Sequence, residues 1–344
     1  MSAPLPDFAH RLIAWQKQHG RHDLPWQQSH EAYRVWLSEI MLQQTQVAAV
    51  IPYYQRFLER FPDLASLARA PLADVLEAWS GLGYYARARN LHRCARQVVE
   101  LHGGRFPSDP ETLQSLAGIG RSTAAAIAVF SAGQRAAILD GNVKRVFCRH
   151  AGIATPPGEA QTEKQLWQLA EARLPLSDLK AYTQGLMDLG ATLCTRRHPR
   201  CPACPVREDC RAALGGLQDE WPVPRARKAL PERSTIFVLI FDGQAVLLQR
   251  RPPSGIWGGM LAPPEGDPQT IIANLGVSIA VSETLPERVH TFTHFRLRIA
   301  PVLYRIDRRP SGAMEPGWHW QAIAQIDNAA LPAPVRQLLS TLPA

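Results

Sequence analysis

The sequence predicts a multidomain chain, an all-α domain followed by a smaller α+β domain. Three observations carry this reading. Residues up to about 220 repeat apolar side chains at helical spacing. A Pro-rich, basic stretch then runs from Trp221 to Pro231. Beyond it, β-rich runs alternate with turn residues. A length of 344 residues suits two or three domains, and 46% apolar with 20% charged residues excludes a wholly disordered chain. No run approaches the ~20 uninterrupted apolar residues of a membrane span. Met1 to His10 lacks a basic n-region, so the expectation is a cytoplasmic protein without a secretory signal or membrane association.

The elements follow in order. Glu31 to Val50 carries Tyr33, Trp36, Leu37, Ile40, Met41 and Val47 at helical spacing, with neither Gly nor Pro to interrupt it. Pro71 to Trp79 reads as a short amphipathic helix. Ser108-Asp-Pro-Glu111 reads as a capping box with Pro in the first turn, where its missing N–H does no harm. Thr123–Phe130, Glu163–Leu174 and Ala181–Leu193 complete a helical domain over 1–220. Residues 221–232 read as a semi-extended linker. In 233–344, Ser234–Phe241 and Ala245–Gln249 flank Asp242-Gly243, a strong hairpin signal. Strand-like runs between Arg288 and Ile306 and a closing helix at Val335–Leu342 make this domain α+β.

Four of the six cysteines crowd into Cys194-x6-Cys201-x2-Cys204-x5-Cys210. In an intracellular chain this spacing predicts metal or cluster ligation rather than disulfides. Four thiolates on short loops suit zinc or a four-iron cluster. The single C-x2-C favours a compact cubane over paired zinc knuckles. Arg196, Arg197, Arg200, Arg207 and Arg211 would face such an anion. Cys94 and Cys148 lie outside the pattern and read as core.

Charge points to a polyanion. The chain carries 38 basic and 30 acidic residues, a net of +8, and Ser80–His150 alone holds 10 basic against 4 acidic, a net of +6. Inside that segment, Leu116-Ala-Gly-Ile-Gly-Arg-Ser-Thr123 sets Gly118 and Gly120 between helical runs. Such glycines let successive N–H groups converge on a phosphate at a helix N-terminus, with Arg121 adding charge. A plain helix–helix turn is the competing reading.

Two carboxylates stand out. Glu39 sits between Leu37 and Ile40 in an apolar helix, and Asp140 follows Ala136-Ala-Ile-Leu139. Separately, a solvent-facing Glu and a helix N-cap explain them. Together they suit glycosidic chemistry, in which one carboxylic acid protonates the leaving group and one carboxylate stabilises an oxocarbenium-like centre.

Taken together, these residues closely resemble those of adenine DNA glycosylases of the MutY type, within the endonuclease III helix-hairpin-helix superfamily. The matching motifs are Leu24-Pro-Trp-Gln27, Trp36–Gln46, Gly81–Asn90, the glycine hairpin, Leu139–Arg145 and the cysteine cluster. The resemblance implies a DNA glycosylase that removes adenine mispaired with 8-oxoguanine or guanine in double-stranded DNA, acting as a monomer. It implies a [4Fe-4S] cluster on Cys194, Cys201, Cys204 and Cys210. By position, Glu39 would protonate adenine and then activate water, Asp140 would stabilise the sugar cation, and Asn142 would hold the water and carboxylate network. Trp26, Gln27, Gln184 and Met187 would line the adenine pocket. Tyr84 would wedge into the base stack, while Gln44, Thr45 and Leu82 would contact the oxidised guanine or fill the gap. Gly118, Gly120, Arg121, Ser122 and Lys144 would meet the DNA backbone.

Ser122 stands where bifunctional relatives carry an attacking Lys. A hydroxyl forms no Schiff base, so the expectation is a monofunctional enzyme rather than an endonuclease III-like glycosylase and AP lyase. Lys144 is the nearest lysine to Asp140 in sequence. The second domain resembles the Nudix fold. Arg250–Gly259 and His290–Phe295 carry that likeness, but Gly266–Gly276 holds one Asp and no Glu, too few carboxylates for a hard-cation site. The expectation is a reader of oxidised guanine, with Phe292, Thr293 and His294 as the probing loop, rather than a nucleotide hydrolase.

Overall fold

The computed structural model describes residues 7–225, 229–310 and 316–342. The central linker residues 226–228 and the extreme N-terminus therefore lie outside the described residues. The helices are α1 (Phe8–His19), α2 (Ala32–Leu42), α3 (Val47–Arg60), α4 (Leu64–Arg69), α5 (Leu72–Ala78), α6 (Ala86–His102), α7 (Pro110–Gln114), α8 (Arg121–Ala132), α9 (Gly141–Ala151), α10 (Ala160–Ala172), α11 (Leu179–Asp188), α12 (Arg211–Leu214), α13 (Pro268–Leu275) and α14 (Ala333–Leu339). The strands are β1 (Glu232–Phe241), β2 (Ala245–Arg250), β3 (Leu261–Ala262), β4 (Ile279–Thr284), β5 (Arg288–Thr291), β6 (Arg296–Ile306) and β7 (Trp318–Ala322). An all-α part followed by an α+β part is thus the observed order.

Two local expectations are corrected. The helix expected across 31–50 breaks at Gln43–Gln46, where Gln44 takes a left-handed φ of 57°. A non-glycine residue seldom adopts that conformation, and apolar periodicity cannot reveal it. The cap of α7 is Asp109, not Ser108: the Asp109 carboxylate accepts from Thr112 N at 2.7 Å, and Pro110 fills the first helical position. The shorter reach of a carboxylate one residue later satisfies the orphan donor directly.

The contacts divide the chain into two compact units. The first comprises the residues up to 55, 63–68 and 93 to the linker, and the second comprises 56–62, 69–92 and the residues after the linker. The linker alone does not set the partition. In the first unit, Phe8 and Leu12 of α1 pack with Val143, Phe147, Leu166, Tyr182, Leu186 and Leu189 into one buried core. Cys148 belongs to this core, and Cys94 is likewise buried.

The second unit holds a mixed sheet in the order β3-β2-β1-β6-β4, with β5 on β6 and β7 on β2. Strands β1 and β6 run parallel from Glu232↔Arg296 to Phe241↔Arg305, and β1 meets β2 antiparallel at the Asp242-Gly243 turn. Val238, Ile240, Leu247, Ile271 and Ile306 form its core with α13. Asp267, the acid in the 266–276 segment, is spent as the N-cap of α13, accepting from Thr270 N at 2.8 Å.

Candidate active site

A cavity of about 410 Å³ opens in the helical unit, within the usual range for a small-ligand site. It gathers eight of the residues singled out in the sequence: Trp26, Gln27, Glu39, Thr45, Asp140, Asn142, Gln184 and Met187 all line it. Gln44 does not line it and sits instead at the strained turn after α2. Trp26 is buried edge-on against Tyr54, with ring centres 5.5 Å apart, which fixes one wall.

The two carboxylates reach the cavity from different elements. Glu39 rides near the end of α2, on a turn whose other side chains are core. Burial, and next the charge of Asp140, raise its carboxyl to about 8. Asp140 is the N-cap of α9, and its Oδ1 accepts from Asn142 N and Val143 N, each at 2.8 Å. The N-cap reading of Asp140 therefore holds, and the same residue lines the cavity. Among the described residues no donor reaches Oδ2, which is left to the cavity. Burial lifts the Asp140 carboxyl, while the two backbone donors, Arg145 and Lys144 pull it back. The pair is thus biased apart: Glu39 is kept protonated in neutral solution, and Asp140 is held by a helix N-terminus that favours its anion.

Asn142 is fixed from behind. Arg145 donates through Nη2 to Asn142 Oδ1 at 2.7 Å and to the Gly190 carbonyl at 2.7 Å. Gly190 is required here, since a Cβ at that position would lie 2.6 Å from Asn142 Cβ. Ser122 plays a part the sequence did not reveal: its Oγ accepts from Leu139 N at 2.9 Å and steadies the segment leading into Asp140. Lys144 pairs with Glu163 at 2.7 Å, and the lysine on the cavity wall is Lys180 of α11.

The hairpin glycines differ. Gly118 has φ 78° and needs glycine for its left-handed turn. Gly120 is extended, and a Cβ there would meet nothing within 4 Å, so the fold does not demand a glycine at that position. Arg121 stacks on Trp167 at 3.8 Å and pairs with Glu171.

Cys194, Cys201, Cys204 and Cys210 are free of disulfides and line one small pocket. Among the described residues, no group of three or more His, Cys, Asp or Glu side chains is drawn together tightly enough for a metal ion. Four thiols around a shared space are a donor set for either a zinc ion or an iron–sulfur cluster. Burial pushes the Cys204 thiol up to about 12, and the other three cysteines add to the rise. Of the arginines near the cluster, it is Arg149, outside the loop, that reaches sulfur, 3.3 Å from Cys194 Sγ. It also holds the loop carbonyls of Thr195 and Arg196.

Leu82, Tyr84 and Phe292–His294 belong to the second unit. Leu82 is buried, while Tyr84 is exposed at a left-handed φ of 51° and shares the Arg87 guanidinium with Trp79, each ring centre 5.4 Å away. Phe292 stacks on Phe295 at 4.5 Å and packs against Trp257, leaving Thr293 and His294 exposed.

Comparison with known proteins covers both parts of the chain. Residues 37–172 match the model of the HhH-GPD superfamily base excision DNA repair proteins, and residues 235–341 match the NUDIX domain. An adenine DNA glycosylase of Buchnera aphidicola is 35% identical over 96% of both chains. The chain belongs to the adenine DNA glycosylase family. The mouse adenine DNA glycosylase is 33% identical over 98% of this chain and 78% of its own. Among solved structures, a thermostable thymine-DNA glycosylase matches 60% of this chain and 95% of its own, with a TM-score of 0.55 and 27% identity. An endonuclease III–DNA complex shares the fold at a TM-score of 0.53 and 19% identity, covering 61% of this chain and 95% of its own. Arg145, Arg149, Asp188 and Lys180 are site residues that sequence reasoning passed over. Only for Asp188 was a signal present, an acid in the apolar run Leu186-Met-Asp-Leu189.

Proposed function

We propose that this chain is a monofunctional DNA glycosylase that hydrolyses the N-glycosidic bond of adenine paired with 8-oxoguanine or guanine. The observation that carries this reading is one cavity holding a carboxyl raised to about 8 beside a carboxylate capped by α9. Glu39, protonated, donates to the ring nitrogen of an extruded adenine and makes it a neutral leaving group. Asp140 Oδ2 faces the developing sugar cation. The Glu39 carboxylate left behind takes a proton from the attacking water, which Asn142 holds. The base reaches the cavity by leaving its stack, which costs least at a mispair.

Monofunctional chemistry is supported by Ser122 and by the pairing of Lys144 with Glu163. Arg121, Ser122, Lys144 and the open backbone at Gly118 and Gly120 form the backbone-contact region; Tyr84, Leu82, Gln44 and Thr45 act at the vacated base position. Phe292, Thr293 and His294 read the oxidised guanine. The four cysteines hold a [4Fe-4S] cluster, which when bound clamps the 194–210 loop; no step passes through it. The domains are 1–220 and 233–344, and the partner is duplex DNA.

Single-turnover base release from an A:8-oxoguanine duplex, with Asp140→Asn as control, tests the reading. Release by the wild type and its loss in the variant are expected. Efficient strand cleavage with borohydride trapping would instead favour a lyase.

A further inference from the structure

Asp188, the last residue of α11, is fully buried, and the partners of its carboxylate, Arg21 and Gln184, both line the cavity. Its Oδ2 accepts from Arg21 N at 2.9 Å, and its Oδ1 accepts from Arg21 Nε at 2.7 Å and from Gln184 Nε2 at 2.8 Å. An ionised carboxylate only accepts hydrogen bonds, so the amide edge facing it must be the NH2 edge. The Gln184 amide therefore cannot turn over. Its carbonyl Oε1, which no donor reaches among the described residues, remains for whatever enters the cavity that Gln184 lines.

The second wall glutamine offers no such freedom. Gln27 Nε2 donates to the Arg21 carbonyl at 2.9 Å, and its Oε1 accepts from Leu24 N at 3.1 Å. Both of its ends are engaged, and through Arg21 it is locked to the same buried carboxylate. Of these two amide oxygens, one is thus open to the cavity, the Gln184 Oε1. A base with an exocyclic amino group satisfies it. A base with a carbonyl at the same place sets oxygen against oxygen, and both lose their water without gaining a donor.

We propose that Asp188 is a positioning residue that sets base specificity: by accepting from the Gln184 amide nitrogen it fixes where Oε1 stands, and it makes the cavity select an amino-bearing purine over its oxo counterpart. This rests on the adenine-release reading above and names how that site discriminates.

The test compares single-turnover release of adenine, hypoxanthine and unsubstituted purine, each opposite 8-oxoguanine, in the wild type, Asp188→Asn, Gln184→Met and the double variant. Asp188→Asn frees the amide to turn. It is expected to lower the adenine-to-hypoxanthine rate ratio about tenfold or more, the scale of one lost directed hydrogen bond. Gln184→Met leaves the Asp188–Arg21 pair intact and is expected to lower the ratio comparably, and the double variant no further. Unchanged ratios in Gln184→Met, or loss of all three substrates by one common factor in both single variants, would overturn the proposal. If Asp188→Asn does not fold, the Gln184→Met ratio decides. A wild type that releases no adenine defeats the functional reading; one that does, with ratios unmoved, defeats this inference alone.

Discussion

Arg145 Nη2 lies 2.7 Å from Asn142 Oδ1, while its Nε donates to the Cys194 carbonyl at 2.8 Å. One guanidinium thus joins the first turn of α9 to the start of the cysteine loop. Arg145→Met should leave Asn142 free to rotate and strand two carbonyls, those of Gly190 and Cys194. Each buried acceptor left unpaired costs about 1–3 kcal/mol. The expected result is a lower Tm together with base release reduced about 100-fold or more. An unchanged melting curve would show that the bridge is dispensable.

Glu39 predicts the alkaline side of the pH–rate profile. Since burial holds its carboxyl near 8, single-turnover release should fall as pH rises through about 8. The acid limb should lie above the ordinary Asp value, because burial raises Asp140 as well.

The same shift has a stability signature. The folded state disfavours the Glu39 anion, so the linked stability is complete below 4.5 and is lost as pH rises towards about 8. Glu39→Gln carries no such loss. Its Tm relative to the wild type should climb across that interval and then level off; a gap independent of pH would contradict the assignment.

Arg336 predicts the behaviour of the Tyr84 turn. In the second unit it donates to Ser80 Oγ and to the Ala329 carbonyl, each at 2.8 Å, and the Tyr85 hydroxyl, 3.2 Å from Gly81 N, bonds the Leu331 carbonyl. Helix α14 therefore braces residues 80–85. Arg336→Ala should raise hydrogen exchange at Gly81–Tyr85 selectively, by about tenfold for each 1.4 kcal/mol of bracing lost. Deleting the C-terminal part would remove the same brace, so Thr293→Ala and His294→Ala are the cleaner probes of oxidised-guanine recognition.

Salt dependence should be milder than the charge count suggests. Among the cations of Ser80–His150, Arg87, Arg89, Arg96, Arg121, Arg135, Lys144, Arg145 and Arg149 already have internal partners. Ten phosphate contacts would give a slope of about −9 in log K against log salt. A much shallower slope is expected on duplex DNA, and a value near −9 would mean that these pairs open on binding.

Much of the site was legible in the sequence because its chemistry is local. Glu39, Asp140 and the cysteines are marked by residue type and spacing, and Asp140 as a cap needs only the next three residues. Arg145, Arg149 and Asp188 were not legible, since their meaning lies in partners far along the chain: Cys194 for the two arginines and Arg21 for Asp188.

By itself the sequence determined the order of helical and sheet-bearing parts, the family, and the carboxylate and thiol sets, since periodicity and spacing are properties of contiguous residues. Only the tertiary structure decided how each group is tuned. It raised Glu39 by burial and by proximity to Asp140, turned the Gln184 amide by placing Asp188 behind it, and spent most of the basic segment on internal contacts. Burial and hydrogen bonding depend on what surrounds a group in space, and that is fixed only when distant segments pack together.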